Sequence, residues 1–224
     1  MNDLSNNYFQ DYSSSRLISP PLSDLSQETS KSIRLGVLAS GSGSNFAAIA
    51  ASIASGQLKA EIPVLIYNNP KAKVKERALQ WQIPAVLINH RHFSTREDCD
   101  RQIVQVLQDH QVELVVMAGW MRVVTEVLLE AFPKRIINIH PSLLPSFPGI
   151  RAIEQAIEAG VKITGCTVHL ATLEVDSGPI IVQAAVPVLN TDTPETLHQR
   201  IQIQEHQILP QAISLCAENL LMLD

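Results

Sequence analysis

Short apolar runs alternate with amphipathic helical stretches along most of this chain, and that rhythm leaves few folds open. Residues 33–39 read as a strand. A helical pattern follows, with Phe46, Ile49, Ala50 and Ile53 on one side. Residues 62–67 form a second strand pattern, closed by Asn68-Asn69-Pro70, and 71–81 suits a helix. Residues 85–88 read as a third strand. Ser94-x-x-Glu97 is a capping-box pattern that opens a helix to about His110, with Ile103, Val104 and Leu107 inward. Residues 114–118 are apolar throughout, as a strand covered on both faces should be. A short helix over 125–130 and a fifth strand over 136–138 complete the series. Repeated βα units of this kind predict an α/β, Rossmann-like fold: a mostly parallel sheet with helices on both faces.

After Gly160 the texture changes. Residues 163–170 and 180–188 read as longer strands, a hairpin-like pair closing the sheet. Thr193-Pro194 marks a helix start with proline at the first position. That last helix turns Leu197, Ile201, Ile208, Ala212 and Leu215 inward and is expected to kink at Pro210. Residues 1–31 are rich in Ser, Asn, Asp and Pro. They lack the apolar core of a signal peptide, and Asp3, Asp11, Asp24 and Glu28 make a poor transit peptide. They are read as a poorly ordered extension on a single domain over 32–224, with Leu17, Ile18, Leu22 and Leu25 available to dock on the body.

Composition narrows the function classes. At 224 residues, 46% of them apolar, the chain can bury a sizeable core. A net charge of −5 and the lack of a long basic run argue against nonspecific nucleic-acid binding. The longest apolar stretches are strand-sized, which argues against a membrane span. Cys99, Cys166 and Cys216 are scattered, as befits reduced thiols of a cytoplasmic protein rather than a disulfide framework or a zinc site.

Three segments carry chemistry, and all fall at the C-terminal ends of predicted strands, where ligands gather in such sheets. Ser40-Gly41-Ser42-Gly43-Ser44-Asn45 sits between a strand and a helix, so free backbone N–H groups and the helix dipole can meet an anion. Phe46 stands where the dinucleotide fingerprint needs a third glycine, and the Gly-Lys-Ser/Thr of a P-loop is missing. A single phosphate suits the loop, while NAD and ATP do not; the alternative is a plain strand-to-helix turn. Asn138 and His140 lie two apart on a strand and therefore share a face. An amide that can steady an oxyanion beside an imidazole that can move a proton is suited to acyl or one-carbon transfer. Asp176, in a loop marked by Gly178 and Pro179, is able to orient His140 if the fold brings them together; an exposed turn is the other reading. His90-Arg91-His92 reads as a solvated loop, His169 as a satisfied strand histidine, and Glu205-His206 as an ordinary solvated pair.

Taken together, the glycine loop, Met117-Ala118-Gly119-Trp120-Met121-Arg122, Asn138-Ile139-His140-Pro141-Ser142-Leu143-Leu144-Pro145 and Val175-Asp176-Ser177-Gly178-Pro179-Ile180-Ile181 closely resemble the phosphoribosylglycinamide formyltransferase family. The likeness runs from about Ile33 to about Cys216. The His-Pro-Ser-Leu-Leu-Pro segment is common to the wider folate-dependent formyltransferase superfamily. The glycine loop, with Gln202-x-Gln204-Glu205-His206, points to this member. The resemblance implies transfer of a formyl group from 10-formyltetrahydrofolate to the amine of glycinamide ribonucleotide, in purine synthesis, without a metal.

Residue by residue, it implies a catalytic trio of Asn138, His140 and Asp176. Gly43, Ser44 and Asn45 would hold the ribonucleotide phosphate, and Glu205, with Gln202 nearby, would grip the glycinamide end. On the folate side it implies Arg96, the wall Met121, Arg122, Val123 and Val124, partly through backbone groups, and Asn138. Many relatives carry histidine where this chain has Arg151 after Pro148-Gly149-Ile150. The expected state is a monomer or homodimer in the cytoplasm with small-molecule substrates. Three rivals remain at this level: a formyltetrahydrofolate hydrolase, a methionyl-tRNA formyltransferase, and a binding module that kept the sheet and lost activity.

Overall fold

The computed structural model describes residues 17–20 and 32–221. Its strands are β1 (Ile18–Ser19), β2 (Ile33–Ala39), β3 (Ala60–Tyr67), β4 (Ala85–Leu87), β5 (Leu114–Met117), β6 (Ile136–His140), β7 (Ile163–Leu170) and β8 (Ile180–Pro187). They form one sheet in the order β1-β8-β7-β6-β5-β2-β3-β4. The run from β6 to β4 is parallel, and β7, β8 and β1 pair antiparallel. The helices are α1 (Ser44–Ala54), α2 (Val74–Gln80), α3 (Arg96–Asp109), α4 (Glu126–Ala131), α5 (Ala152–Glu158) and α6 (Pro194–Leu221).

Alternation along the strands sorts the apolar side chains into two cores, as a sheet covered on both faces requires. Leu35, Val37 and Ala39 of β2 pack with Phe46 and Ile49 of α1 and with Ile201 and Ile208 of α6. Leu38 of the same strand faces the other way, with Val115 and Met117 of β5, Ile103 and Leu107 of α3 and Leu128 of α4. The α/β, mostly parallel sheet with helices on both faces is thus the fold observed. The expected closing pair is β7 and β8, joined from Ile163↔Pro187 to His169↔Ile180.

The boundaries shift where local chemistry competes. The helix expected over 71–81 shortens to α2 because Asn69 first makes a turn: its carbonyl accepts from Ala72 N and its side chain from Lys71 N. The cap of α3 is Thr95, one residue after the expected Ser94. Thr95 Oγ1 accepts from Asp98 N at 3.0 Å and donates to Asp98 Oδ2 at 2.7 Å. Thr95→Ala is expected to cost about 1 kcal/mol, lowering Tm by roughly 2–4 °C. Thermal unfolding checks this, and an unchanged Tm would mean that Ser94 takes over the cap. Helix α6 runs continuously through Pro210.

Of the N-terminal extension, Leu17–Pro20 is described. Ile18 and Ser19 pair with Ala184 and Gln183 at the open edge of β8, and Ile18 packs against the core. Gln211 Nε2 of α6 donates to Pro20 O. This is the docking anticipated for Ile18; Leu22 and Leu25 lie outside the described residues.

The strand order reverses between β2 and β5, since the chain builds outward through β3 and β4 before returning to β5 beside β2. A crevice at the C-terminal ends of strands is expected at such a reversal. The loops after β2 and β5 are tied together there, by Ser40 N to Gly119 O at 3.0 Å and Met121 N to Ser40 Oγ at 2.9 Å.

Candidate active site

On the α3–α4 face of the sheet, β6 turns polar past Ile136. Asn138 and His140 follow at two-residue spacing, and antiparallel β7 sets His169 opposite Asn138 and Thr167 opposite His140. Paired residues share a face, and Asn138, His140 and His169 meet at the floor of one cleft. That cleft, about 310 Å³, is also lined by Met121, Val123, Val124, Ile150, Arg151 and Val175.

The loop between β7 and β8 brings Asp176 onto this floor. Gly178 makes the tight return possible, since a Cβ there would run into Leu170 O. Asp176 itself adopts a left-handed backbone (φ 54°), a conformation that costs a non-glycine residue energy and persists only where its contacts hold it. Those contacts are numerous. Gly149 N donates to Asp176 Oδ2 at 2.8 Å, and His140 Nδ1 lies 3.3 Å from the same oxygen. Asn138 Nδ2 lies 3.3 Å from Asp176 Oδ1, and His169 Nε2 lies 3.5 Å from it. Burial pushes the Asp176 carboxyl up, but the His169 and Gly149 contacts and the facing imidazoles outweigh it and hold the group below the usual aspartate range.

His140 is 6% exposed, and both its ring nitrogens face acceptors: Nε2 is 2.8 Å from Phe147 O, and Nδ1 meets Asp176 directly, with no room for a bridging water. A neutral ring can donate through only one nitrogen. The Phe147 carbonyl reaches the ring because the loop after β6 is locked to β7. Thr167 Oγ1 donates to Ser142 O and accepts from Leu144 N, while Ser142 Oγ donates to Ser146 O.

Two findings change the sequence reading. His169 is the satisfied strand histidine expected, and it also belongs to the floor of the cleft. His169 Nδ1 donates to Leu170 O at 2.9 Å, and its Nε2 lies 3.1 Å from Asn138 Nδ2 and 3.5 Å from Asp176 Oδ1. The Asn138 amide nitrogen is therefore directed at two protein partners, His169 Nε2 and Asp176 Oδ1. The polar alternation Thr167/His169 in an otherwise apolar strand was the available signal. The second correction concerns Glu205, which is 5% exposed rather than solvated.

Glu205 belongs to a second cluster around the glycine loop. Gly43 takes a left-handed turn (φ 74°) with its Cα against Val74, where only glycine fits, and caps α1 without a side-chain bond. The first turn of α1 holds no acidic residue, so its N–H groups and dipole are uncompensated. From α6, Gln202 Nε2 donates to Ser44 Oγ at 2.8 Å, and Glu205 Oε2 accepts from Asn45 Nδ2 at 3.0 Å. Burial pushes the Glu205 carboxyl up, against the pull of Asn45 and His198. The folded protein then holds this proton more tightly than the unfolded chain, so stability falls as pH rises from the ordinary value of 4.5 through the raised one. Glu205→Gln is expected to flatten that part of the stability–pH profile and to weaken a ribonucleotide more than a folate. Urea unfolding across pH and titrations of each ligand check both; an unaltered profile, or equal weakening of the two ligands, would remove the assignment.

Of the residues the resemblance implied, Asn138, His140, Asp176, Met121, Arg122, Val123 and Val124 line the cleft. Gly43, Ser44, Asn45, Gln202 and Glu205 form the second cluster. Arg96 lies apart, exposed at the start of α3. The Arg122 guanidinium turns away from solvent, 2.8 Å from Cys99 Sγ and 3.6 Å from Asp100 Oδ1. Asp100 Oδ2 also accepts from Thr125 N, pinning the end of the wall to α3.

An α/β sheet with an amide, two imidazoles and one carboxylate gathered at its strand ends has the groups that a group-transfer enzyme uses for proton movement and oxyanion stabilisation. Residues 33–213 match the family model described as Formyl transferase. A phosphoribosylglycinamide formyltransferase of Bacillus subtilis is 43% identical over 80% of this chain and 92% of that protein. The human trifunctional purine biosynthetic protein adenosine-3 is 40% identical over 86% of this chain, which spans only 19% of it. The crystal structure of glycinamide ribonucleotide transformylase 1 from Symbiobacterium toebii superposes with a TM-score of 0.84 at 47% identity, over 85% of this chain and 90% of that one. The chain belongs to the formyl transferase family, on the branch of the phosphoribosylglycinamide formyltransferases.

Proposed function

We propose that this protein transfers the formyl group of 10-formyltetrahydrofolate to the amine of glycinamide ribonucleotide, giving formylglycinamide ribonucleotide and tetrahydrofolate, in de novo purine (IMP) biosynthesis. The observation that carries this reading is the Asn138–His140–Asp176 cluster on the floor of a cleft with an apolar wall. The flat pterin takes the Met121–Val124 wall, against backbone polar groups, and Arg96 lies outward, where a folate carboxylate tail can reach it. The ribonucleotide phosphate takes the α1 N-terminus at Gly43–Asn45. Glu205 touches that loop and does not line the cleft, so its grip falls on the hydroxyl-bearing part of the ribonucleotide rather than on the glycinamide amine.

The amine attacks the formyl carbon, the carbonyl oxygen takes up negative charge, and the amine sheds a proton as the folate nitrogen leaves. Asn138 supplies an oxyanion donor once one of its N–H bonds is released from His169 or Asp176; such a donor is commonly worth about 3 kcal/mol of barrier. His140 moves the proton, and Asp176 holds the ring in place. Holding both substrates in attack geometry supplies much of the remaining rate. The reaction needs neither a metal nor a covalent enzyme intermediate. No described helix is long and apolar enough to cross a membrane; the cytoplasm is the compartment proposed, with a monomer or homodimer as the working form and no nucleic-acid partner. An isotope-labelled formyl donor tests the reading. The label should appear on the ribonucleotide amine by mass spectrometry, and label found only as free formate would contradict transfer.

A further inference from the structure

The glycine loop holds hydroxyls, an amide and a helix N-terminus, but no cation of its own. A phosphate monoester brings about −1.5 to −2 charges at neutral pH, more than the roughly half charge of a helix end balances. The structure brings a basic side chain to this loop from elsewhere. Arg77, half-buried on α2, donates from Nε to Ser42 O at 2.8 Å. The loop rests against the same helix through Val74 N and Gly41 O at 3.2 Å. The Arg77 Nη groups make no hydrogen bond among the described residues, so the outer edge of the guanidinium keeps its donors available.

Across the loop, α6 contributes Gln202 to Ser44, Glu205 to Asn45, and His206 close enough to feel the Arg77 charge. His206 stands at the opposite end from the Nη donors in what it offers: burial first, and the Arg77 charge second, push it below the usual histidine range, and its Nε2 is buried without a partner. Of these two side chains, Arg77 is the one that brings positive charge near neutral pH.

We infer that Arg77 is a specificity-determining residue for the phosphate of the ribonucleotide: Nε props the glycine loop through Ser42 O while the Nη pair meets the phosphate oxygens. A guanidinium fork fits phosphate in this way better than a point-charge ammonium does. The inference rests on the proposed ribonucleotide substrate and adds the residue that tells a nucleotide from its nucleoside.

The test compares kcat/KM for glycinamide ribonucleotide with kcat/KM for the same compound lacking its phosphate, in the wild type, Arg77→Ala and Arg77→Lys. A hydrogen bond to a charged group is worth about 1.5–3 kcal/mol, so the preference for the phosphorylated substrate should fall roughly ten- to a hundredfold in Arg77→Ala, with partial recovery in Arg77→Lys. An unchanged preference, whether both substrates suffer equally or neither does, would reduce Arg77 to a prop for the loop and overturn the inference. A wild type that turns over neither substrate would instead contradict the proposed function. Inorganic phosphate gives a reading independent of turnover: it should raise the Tm of the wild type more than that of Arg77→Ala. Equal shifts would overturn the inference even for an inactive enzyme.

Discussion

His140→Ala is expected to lower kcat for formyl transfer by about 10²–10⁴-fold, the range of a lost general acid–base group, while leaving the fold in place. The ring sits between Asp176 and the Phe147 carbonyl, with 6% of it exposed, so no other described side chain on the cleft floor can take over both contacts. The cost to stability is bounded. Asp176 Oδ2 keeps its bond from Gly149 N, and Phe147 O loses one donor at the edge of a cleft that water can enter; a penalty of about 1–3 kcal/mol covers an unpaired buried acceptor. Folate binding by the variant should survive, because the Met121–Val124 wall does not depend on the ring. Stopped turnover with intact folate binding is the expected pairing, measured by steady-state kinetics and ligand titration on one preparation. A near-wild-type kcat would remove His140 from the mechanism.

Asp176→Asn should reduce kcat on a similar scale and also loosen the loop. The carboxylate receives Gly149 N and Asn138 Nδ2 and faces two imidazoles, and a carboxamide offers only one acceptor oxygen in its place. Its NH₂ would face either the Gly149 or the Asn138 donor, in a residue already held at φ 54°. The pH dependence follows from the depressed carboxyl. A group with a lowered folded-state value contributes stability in full above its ordinary 3.8 and loses it as pH falls below that. The difference in stability between wild type and Asp176→Asn should therefore be full near neutrality and shrink in acid below 3.8. Urea unfolding at a series of pH values checks the slope, and kinetics check the chemistry. If only KM for one substrate rises while kcat holds, Asp176 binds substrate rather than orienting His140.

Much of the fold was legible because local periodicity reports it. The all-apolar β5 announces a strand covered on both faces, and Asn138 and His140 declare a shared face by spacing alone. Pairing partners were less legible, since they depend on contacts far along the chain. Antiparallel β7 beside β6 is what makes His169 a neighbour of Asn138, and no spacing within Thr167-Val168-His169 encodes that register. The cap of α3 slipped by one residue because Ser94 and Thr95 are both competent, and the extended backbone at Thr95 (φ −129°, ψ 162°) decides between them. Glu205 carried a signal that composition obscures. It lies four residues after Ile201 and three before Ile208, on the buried stripe of α6, where an acid that meets no lysine or arginine among the described residues implies a polar partner such as Asn45 or a ligand.

The measurement closest to the central claim is optical: deformylation of 10-formyltetrahydrofolate by the purified protein, with and without glycinamide ribonucleotide. The account predicts tetrahydrofolate formation only when the ribonucleotide is present, in step with formylated product. Equal rates with and without it would make the protein a hydrolase and contradict the account.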